Sequence, residues 1–167
     1  MNLERKILGE KCSRIKLVIT DVDGVLTDGG MYYSKNGEIL KKFNTRDGMA
    51  VELLRNNKIP VVIITGEKSQ IVLSRAKKLL IKDVFIGIKK KELLLPKICK
   101  KYKIKEDNIA YIGDDINDLK ILEKVGFSAS PKDGMSVIKK KSNYVCKVKG
   151  GEGVLREVAD MIISFKE

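Results

Sequence analysis

The stretch KLVITDVDGVLTDG, residues 16–29, joins a short apolar run to a turn that is rich in aspartate and glycine. Leu17-Val18-Ile19 is β-branched and apolar on both faces, which predicts a buried strand. Asp21 and Asp23 follow at once, at the carboxyl end of that strand. Open α/β sheets hold their sites at this end, although an isolated Asp-x-Asp after a strand is more often a turn and helix cap. The rest of the chain decides between the two interpretations.

Apolar runs of the same kind recur along the chain, separated by segments with helical spacing. Further strands are predicted at Val61–Ile64, Val84–Ile86, Ile109–Ile112 and, more weakly, Tyr144–Val145. Core-facing helical stripes are predicted at Val72/Ala76/Leu79/Leu80, Leu94/Leu95/Ile98/Tyr102, Leu119/Leu122/Val125 and Leu155/Val158/Ile162/Phe165. This alternation predicts an α/β fold, a Rossmann-like doubly wound parallel sheet, with residues 1–167 forming one domain.

One segment interrupts the alternation. Met31-Tyr32-Tyr33 and Glu38–Phe43 flank Ser34-Lys35-Asn36-Gly37. An Asn-Gly pair between strand-like flanks predicts a β-hairpin that protrudes from the sheet.

The composition excludes several kinds of chemistry. The chain has 167 residues and no histidine, so it cannot form a Ser-His-Asp triad, a Cys-His pair or an HExxH zinc site. Its three cysteines are widely spaced, which favours a reducing cytoplasm over a disulfide framework or a zinc ribbon. We expect no membrane span, because no apolar run approaches ~18 residues.

The charge balance is strongly basic, with 34 Lys and Arg against 22 Asp and Glu, for a net charge of +12. The basic residues are mostly lysines scattered along the chain, and aromatic residues are few. This distribution favours a positive field that draws in a small anionic substrate over a nucleic-acid surface. We therefore expect no nucleic-acid partner.

Polar residues follow the later predicted strands as well. Thr65-Gly66 ends the second strand, Lys91 begins the helix after the third, and Gly113-Asp114-Asp115-Ile116-Asn117-Asp118 ends the fourth. Each is ordinary alone, because Thr-Gly is a common helix cap and a lysine at a helix start is usually exposed. Several carboxylates converging on one sheet edge repel one another unless a divalent cation lies among them, and oxygen ligands suit Mg²⁺.

The ordered set DxDGVLTDG, Thr-Gly, Lys and GDDxxD, each after a strand, resembles the haloacid dehalogenase superfamily of phosphohydrolases over nearly the whole chain. The resemblance implies that Asp21 is the nucleophile that forms an aspartyl-phosphate and that Asp23 is the acid and base. It implies Mg²⁺ held by the carboxylates of Asp21 and Asp114 and the main-chain carbonyl of Asp23. A carboxylate nucleophile needs no activating base at neutral pH, which suits a chain without histidine.

Further roles follow from the same resemblance. Thr65 would bind a phosphoryl oxygen, and Lys91 would offset charge in the transition state. Asp115 and Asp118 would orient Lys91 or the waters on the metal. Asp23 also favours release of phosphate to water, because dehalogenases of the superfamily lack this aspartate and its transport ATPases have threonine there.

The gaps between motifs are too short for the cap domain of larger superfamily members. The stretch from Asp21 to Thr65 is taken up by the hairpin and one helix, and that from Thr65 to Lys91 by a helix and a strand. We therefore expect no cap domain, and an oligomer whose hairpins and tails cover neighbouring sites. The resemblance implies a tetramer, in which the Gly150–Glu157 tail reaches a neighbouring subunit.

Within the superfamily, the motifs closely resemble the capless sugar-acid phosphatases acting on 3-deoxy-octulosonate 8-phosphate or on nine-carbon 2-keto-3-deoxy-nononate 9-phosphates, the sialic-acid type. The expected ligand is thus a small anionic sugar-acid phosphate. Besides Asp23 and Lys91, the substrate-binding residues implied by this resemblance are Asn44, Thr45, Arg46, Asp47, Gly48, Gly66, Glu67, Arg75, Lys78 and Arg156.

The phosphatases that act on the two substrate classes differ at the residues after Thr-Gly. Octulosonate phosphatases usually have arginine there, whereas this chain has Glu67-Lys68, and Lys78 matches the lysine that selects nine-carbon substrates. Glu67 and Lys78 would share a helix face but lie roughly 16 Å apart, so they would serve different sites across an interface. This pattern favours the nine-carbon substrate, with octulosonate 8-phosphate as the alternative.

Two interpretations from other classes stay open. A phospho-receiver domain also combines aspartates, a threonine and a lysine on a parallel sheet, but it gives no reason for Asp23 or for Gly150–Arg156. A catalytically silent domain that regulates a sugar-nucleotide synthetase would not need the full acidic set.

Overall fold

The computed structural model describes residues 3–166 and consists of a parallel sheet between two layers of helices. The helices are α1 (Leu3–Ser13), α2 (Thr45–Asn56), α3 (Gln70–Lys78), α4 (Leu95–Tyr102), α5 (Leu119–Leu122), α6 (Ser136–Lys141) and α7 (Val154–Ser164). The strands are β1 (Leu17–Thr20), β2 (Tyr32–Ser34), β3 (Gly37–Leu40), β4 (Val61–Ile64), β5 (Asp83–Phe85), β6 (Ile109–Ile112), β7 (Phe127–Ser130) and β8 (Tyr144–Val145). Short 3-10 turns occupy Lys91–Leu94, Glu106–Asn108 and Ile116–Asp118.

The main sheet has the strand order β5-β4-β1-β6-β7-β8, and every neighbouring pair in it is parallel. Successive strands first add on one side of β1 and then on the other. The order therefore reverses between β1 and β6, and a crevice opens there beyond the strand ends. The predicted doubly wound parallel sheet is confirmed.

Alternate residues of the central strands belong to two separate hydrophobic cores, one on each face of the sheet. On one face, Val18 and Ile63 pack with residues of α1, α2, α3 and α7. On the other face, Ile19 and Tyr111 pack with residues of α4, α5 and α6. Both faces are buried, which explains why these strands are continuously apolar in the sequence.

The predicted hairpin is present, but it is shorter than expected. β2 and β3 pair antiparallel with Ser34 opposite Gly37, so Lys35 and Asn36 form the turn. Gly37 has a φ of 108°, a conformation that L side chains rarely adopt. β3 ends at Leu40 rather than at Phe43.

Two local predictions were wrong. The sequence pattern missed β7, because Ser128 and Ser130 interrupt its apolar character although both are buried. Leu80 does not face the core: α3 ends at Lys78, and Leu80 has a φ of 60° and a side chain that is 68% exposed. The predicted helical stripe thus runs two residues beyond the end of the helix.

The space between the chemical motifs is filled as expected. The hairpin and α2 lie between Asp21 and Thr65, and α3 and β5 lie between Thr65 and Lys91. The described residues contain no cap domain in either interval. Among them, no helix has the length and apolar character that a membrane crossing requires.

Candidate active site

The crevice at the carboxyl edge of the sheet brings the predicted motifs together. Asp21 follows β1 and Asp114 follows β6, and these strands are paired, with Thr20 opposite Ile112. The resulting cleft has a volume of about 310 Å³. It is lined by Asp21, Asp23, Gly24, Gly29, Thr65, Gly66, Glu67, Asp114, Asp115, Ile116 and Asn117.

Lys91 lies under the cleft, completely buried. Its Nζ donates to Asp21 Oδ2 at 2.5 Å and to Asp118 Oδ1 at 2.6 Å. Burial opposes the charged form of Lys91, yet the charges of Asp21 and Asp118 outweigh it and raise the pKa. The lysine is therefore a fixed cation beside the predicted nucleophile.

Three carboxylates meet at this point. Oxygen atoms of Asp21, Asp114 and Asp118 lie within 4.8 Å of one another. Burial raises the pKa of Asp114 to about 7, and the nearby charges of Asp118 and Asp115 act in the same direction. Burial and Asp118 also raise the pKa of Asp21, which Lys91 only partly offsets. The single positive charge of Lys91 therefore does not balance the negative charges of the three carboxylates.

The donor set fits a divalent cation held by Asp21 and Asp114. Both oxygens of Asp118 already accept hydrogen bonds, Oδ1 from Lys91 and from Tyr111 Oη at 2.5 Å, and Oδ2 from the Asp114 amide at 2.9 Å. Asp118 is also completely buried and outside the cleft lining, so it orients its neighbours, whereas Asp21 and Asp114 line the open cleft. Hard carboxylate oxygens of this kind are ligands that Mg²⁺ prefers.

Gly24 allows the loop after β1, which carries Asp21, to lie close to the loop after β6, which carries Asp114. It has a φ of +77°, and a Cβ at this position would lie 2.0 Å from Asp114 Oδ2. Any larger residue would displace the carboxylate, so the glycine after the Asp-x-Asp pair is a steric requirement of the site.

Asp23 is held by a group of residues that the sequence interpretation missed. Lys41 donates to Asp23 Oδ1 at 2.5 Å and forms an ion pair with Glu38 Oε1 at 2.6 Å. Glu38 Oε2 in turn accepts a hydrogen bond from Ser69 Oγ at 2.6 Å. Burial opposes the charge of Lys41, but its bonds to Asp23 and Glu38 raise its pKa. No local motif marks these residues, because they come from the hairpin and from the segment before α3.

The loop after β4 contributes the next predicted group. Thr65 is buried, and its Oγ1 accepts a hydrogen bond from the Glu67 amide at 3.2 Å. Thr65, Gly66 and Glu67 all line the cleft. Glu67 precedes α3, which begins at Gln70, so the expectation that Glu67 and Lys78 share one helix was wrong. Lys78 is exposed in the last turn of α3, outside the cleft lining.

The motif Asn44–Gly48 forms the start of α2 beside the cleft rather than part of its lining. Asn44 caps the helix by accepting from the Arg46 amide at 2.9 Å, while Thr45 and Arg46 are exposed. Asp47 is buried and accepts from the Arg156 amide at 3.1 Å. Gly48 leaves room for Arg75, whose Nη2 would lie 3.0 Å from an added Cβ.

Arg75 joins α3 to the start of α2. Its Nη2 donates to the Asn44 carbonyl at 3.3 Å, and its guanidinium lies 5.7 Å from the centre of the Phe43 ring. Within one chain it is not among the residues that line the cleft.

The glycine-rich segment is not a free tail, which corrects the sequence interpretation. Gly151 donates to the Val25 carbonyl at 3.0 Å, and its own carbonyl accepts from Asn44. A Cβ on Gly150 would lie 2.1 Å from the Gly24 carbonyl oxygen. The segment therefore packs on the loop of the predicted nucleophile and leads directly into α7, a core helix.

Arg156 and Asp115 have local partners in this chain. The Nε of Arg156 donates to both oxygens of Asp160, at 2.8 and 2.9 Å. Asp115 is exposed, and its side chain caps the 3-10 turn by accepting from the Ile116 amide. Among the described contacts, Asp118 and not Asp115 orients Lys91. A role of Arg156 in a neighbouring subunit's site stays a prediction.

Comparison with known proteins shows which family has this fold and this set of motifs. The pattern of the haloacid dehalogenase-like hydrolase family matches residues 83–158. The 3-deoxy-D-manno-octulosonate 8-phosphate phosphatase of Escherichia coli is 39% identical over 153 residues, which cover 92% of this chain and 81% of the relative. The chain belongs to the haloacid dehalogenase-like hydrolase family. It is a phosphatase, a phosphoric monoester hydrolase.

Solved relatives support the same assignment and add the metal. The Moraxella catarrhalis 3-deoxy-D-manno-octulosonate 8-phosphate phosphatase, solved with a magnesium ion, a phosphate ion and a KDO molecule, has a TM-score of 0.92 and 36% identity, covering 95% of this chain and 91% of that one. A cobalt-bound phosphatase from Haemophilus influenzae has a TM-score of 0.91 and 38% identity, covering 93% of this chain and 91% of that one. Relatives of this fold thus bind divalent metal ions.

Proposed function

We propose that this family member is a Mg²⁺-dependent phosphatase that hydrolyses the terminal phosphomonoester of a 2-keto-3-deoxy sugar acid. The observation that carries the proposal is the arrangement of Asp21, Lys91 and Asp114 at one end of the open cleft. It combines a carboxylate nucleophile, a fixed cation and a second metal-ligating carboxylate. The names of the relatives supply the substrate class.

In this proposal each group has a chemical task. A carboxylate oxygen of Asp21 attacks phosphorus, and Asp23 gives a proton to the departing alkoxide. Asp23 then takes a proton from the water that hydrolyses the aspartyl-phosphate. Lys91 offsets negative charge, and Thr65 binds a phosphoryl oxygen. Mg²⁺, held by Asp21, Asp114 and the Asp23 carbonyl, would neutralise phosphoryl oxygens so that one anion can approach another.

The substrate that the relatives favour is 3-deoxy-D-manno-octulosonate 8-phosphate. The curated relative and the Moraxella structure both carry this activity in their names. The nine-carbon substrate that the sequence favoured is kept as a second candidate on one observation. Glu67, an acidic residue in the position that the resemblance assigns to substrate choice, lines the cleft.

The deciding experiment is a substrate panel with excess Mg²⁺. Initial rates of phosphate release would be measured for octulosonate 8-phosphate, for nononate 9-phosphates and for common hexose phosphates. We expect the highest kcat/KM for octulosonate 8-phosphate. A higher value for a nononate 9-phosphate would return the assignment to the nine-carbon class, and a preference for hexose phosphates would refute both.

The proposal also covers assembly and location. The cleft is open to solvent in one chain, and the hairpin exposes Met31, Tyr32, Tyr33, Ile39 and Leu40. An exposed apolar surface of this kind suits a subunit interface. We propose a tetramer, in which hairpins cover neighbouring sites, working in the cytoplasm. Analytical ultracentrifugation would test the assembly, and a monomer at micromolar concentration would refute it.

A further inference from the structure

Lys41 is a buried cation paired with a residue of the cleft lining. Its side chain is 0% exposed, whereas the next residue, Lys42, is 69% exposed and pairs only loosely with Asp28 at 3.4 Å. Lysines are almost never fully buried unless they are paired, because removing an ammonium from water is costly. A buried lysine beside a reaction cleft is therefore to be explained by its partners.

Those partners form a chain of contacts that leads from the segment before α3 to the cleft. Ser69, just before α3, donates to Glu38 Oε2, and Glu38 Oε1 pairs with Lys41. Lys41 then donates to Asp23 Oδ1. The serine and the glutamate fix the ammonium, and the ammonium fixes one oxygen of Asp23. The chain joins the hairpin to the loop that also carries Thr65.

The other oxygen of Asp23 is left free. Oδ2 is buried and has no hydrogen-bond partner among the described residues. Asp23 itself lines the cleft together with Asp21 and Asp114. An unsatisfied buried carboxylate oxygen is costly, and in native proteins it often marks a functional position. Here one oxygen is anchored by Lys41 and the second has no partner, in a carboxyl group whose residue lines the cleft.

From this geometry we infer that Lys41 is a positioning residue that sets the orientation of the Asp23 carboxyl, with Glu38 and Ser69 holding Lys41 in place. The inference rests on the proposed function. Asp23 gives its proton to the leaving oxygen while the phosphorus–oxygen bond breaks and the Asp21–phosphorus bond forms. It takes one proton back from water in the second step. Lys41 keeps its protons throughout and only fixes the direction of the transfer.

The test compares leaving groups, because a misplaced acid matters only when the leaving group needs a proton. The value of kcat/KM, which reports the steps up to the phospho-enzyme, would be measured for octulosonate 8-phosphate and for p-nitrophenyl phosphate. The first releases a basic alkoxide and the second a weakly basic phenolate. The variants are Lys41→Met, Glu38→Gln and, as the matched control on the same hairpin, Lys42→Met.

For Lys41→Met we expect kcat/KM for the alkyl phosphate to fall about 100-fold and that for the aryl phosphate to fall less than about 5-fold. Glu38→Gln should show a smaller loss with the same preference, and it decides the matter if Lys41→Met does not fold. Lys42→Met should match the wild type on both substrates.

An equal loss on the two substrates would mean that Lys41 acts only through the general structure of the site. Unchanged kinetics in both Lys41→Met and Glu38→Gln would likewise overturn the inference. A wild-type enzyme that hydrolyses p-nitrophenyl phosphate but no sugar-acid phosphate would instead refute the proposed function. That result would leave Lys41 testable with any other alkyl phosphate that the enzyme accepts.

Discussion

Lys91 donates a hydrogen bond to Asp21 at 2.5 Å across 70 positions of sequence, and both side chains are buried. Lys91 is also 2.6 Å from Asp118, so one ammonium lies between two carboxylates. Removing one partner from a buried ion pair leaves charge without compensation, at a cost of about 3–5 kcal/mol. The cation that we propose acts in catalysis is thus also part of what holds the site together.

Replacement of Lys91 should therefore reduce stability as well as activity. We expect Lys91→Met to lower the free energy of unfolding by about 3 kcal/mol or more at pH 7 without metal. Urea unfolding followed by circular dichroism would measure it. The exposed neighbour Lys90 gives a matched control, because Lys90→Met should leave the free energy unchanged within ~0.5 kcal/mol. Equal stability of the two variants would contradict the role assigned to the buried ammonium.

Replacement of Asp21 should separate activity from stability. Asp21→Asn removes the proposed nucleophile and one of the repelling carboxylates, while Asp118 still pairs with Lys91, so phosphate release should be abolished while the melting temperature is kept or raised. A phosphate-release assay with excess Mg²⁺ and a calorimetric melting curve would check both parts. Retained full turnover would show that another residue attacks phosphorus.

Mg²⁺ should stabilise the folded protein through Asp21 and Asp114. A cation bound only by the folded state adds about 2.7 kcal/mol at a concentration one hundred times its Kd. Asp114→Asn should reduce this Mg²⁺-dependent rise in melting temperature strongly. The exposed Asp115 provides the control, and Asp115→Asn should keep most of the rise. The reverse result would show that Asp115, and not Asp114, binds the metal.

Asp47 should make stability depend on pH. Burial raises the pKa of Asp47 to about 6, and the hydrogen bonds from the Arg156 and Leu155 amides only partly offset it. The folded state therefore holds this proton more tightly than the unfolded chain does. The contribution of Asp47 to stability is highest below pH ~4 and falls by about 3 kcal/mol as the pH rises through ~6.

Comparison with a variant isolates this effect from other titrating groups. Asp47→Asn keeps an oxygen for the Arg156 amide but cannot ionise, so its advantage over the wild type should grow between pH 4.5 and pH 7. Urea unfolding at several pH values would measure the difference, with exposed Asp160→Asn as the control. A difference that stays constant with pH would refute the explanation.

Much of the site could be predicted because the motifs follow strands. In a parallel sheet the carboxyl ends of neighbouring strands meet at one edge, so the order of the motifs along the chain is enough to bring Asp21, Thr65 and Asp114 together. Absence of histidine likewise narrowed the chemistry to carboxylates, lysine and a metal. These statements depend on connectivity and residue type, which the sequence contains.

The sequence could not predict contacts that depend on how separate elements pack. Lys41 pairs with Asp23 only because folding brings the segment after β3 against the loop after β1, and its neighbour Lys42 has the same chemistry but a solvent-exposed position. The Gly150–Gly153 segment looked like a flexible tail because glycines permit mobility. Packing on the Gly24–Asp28 loop instead makes use of their lack of side chains.

The sequence alone determined the fold class, the loop that carries the proposed nucleophile and the acidic composition of the site. The apolar pattern of a strand and the residues that follow it are local properties of the chain. The tertiary structure alone decided which lysines are buried, which oxygen of Asp23 is anchored and which aspartate orients Lys91. The physical reason is that burial and pairing of a charge depend on groups brought close by folding, and residues 18 to 70 positions apart meet only then.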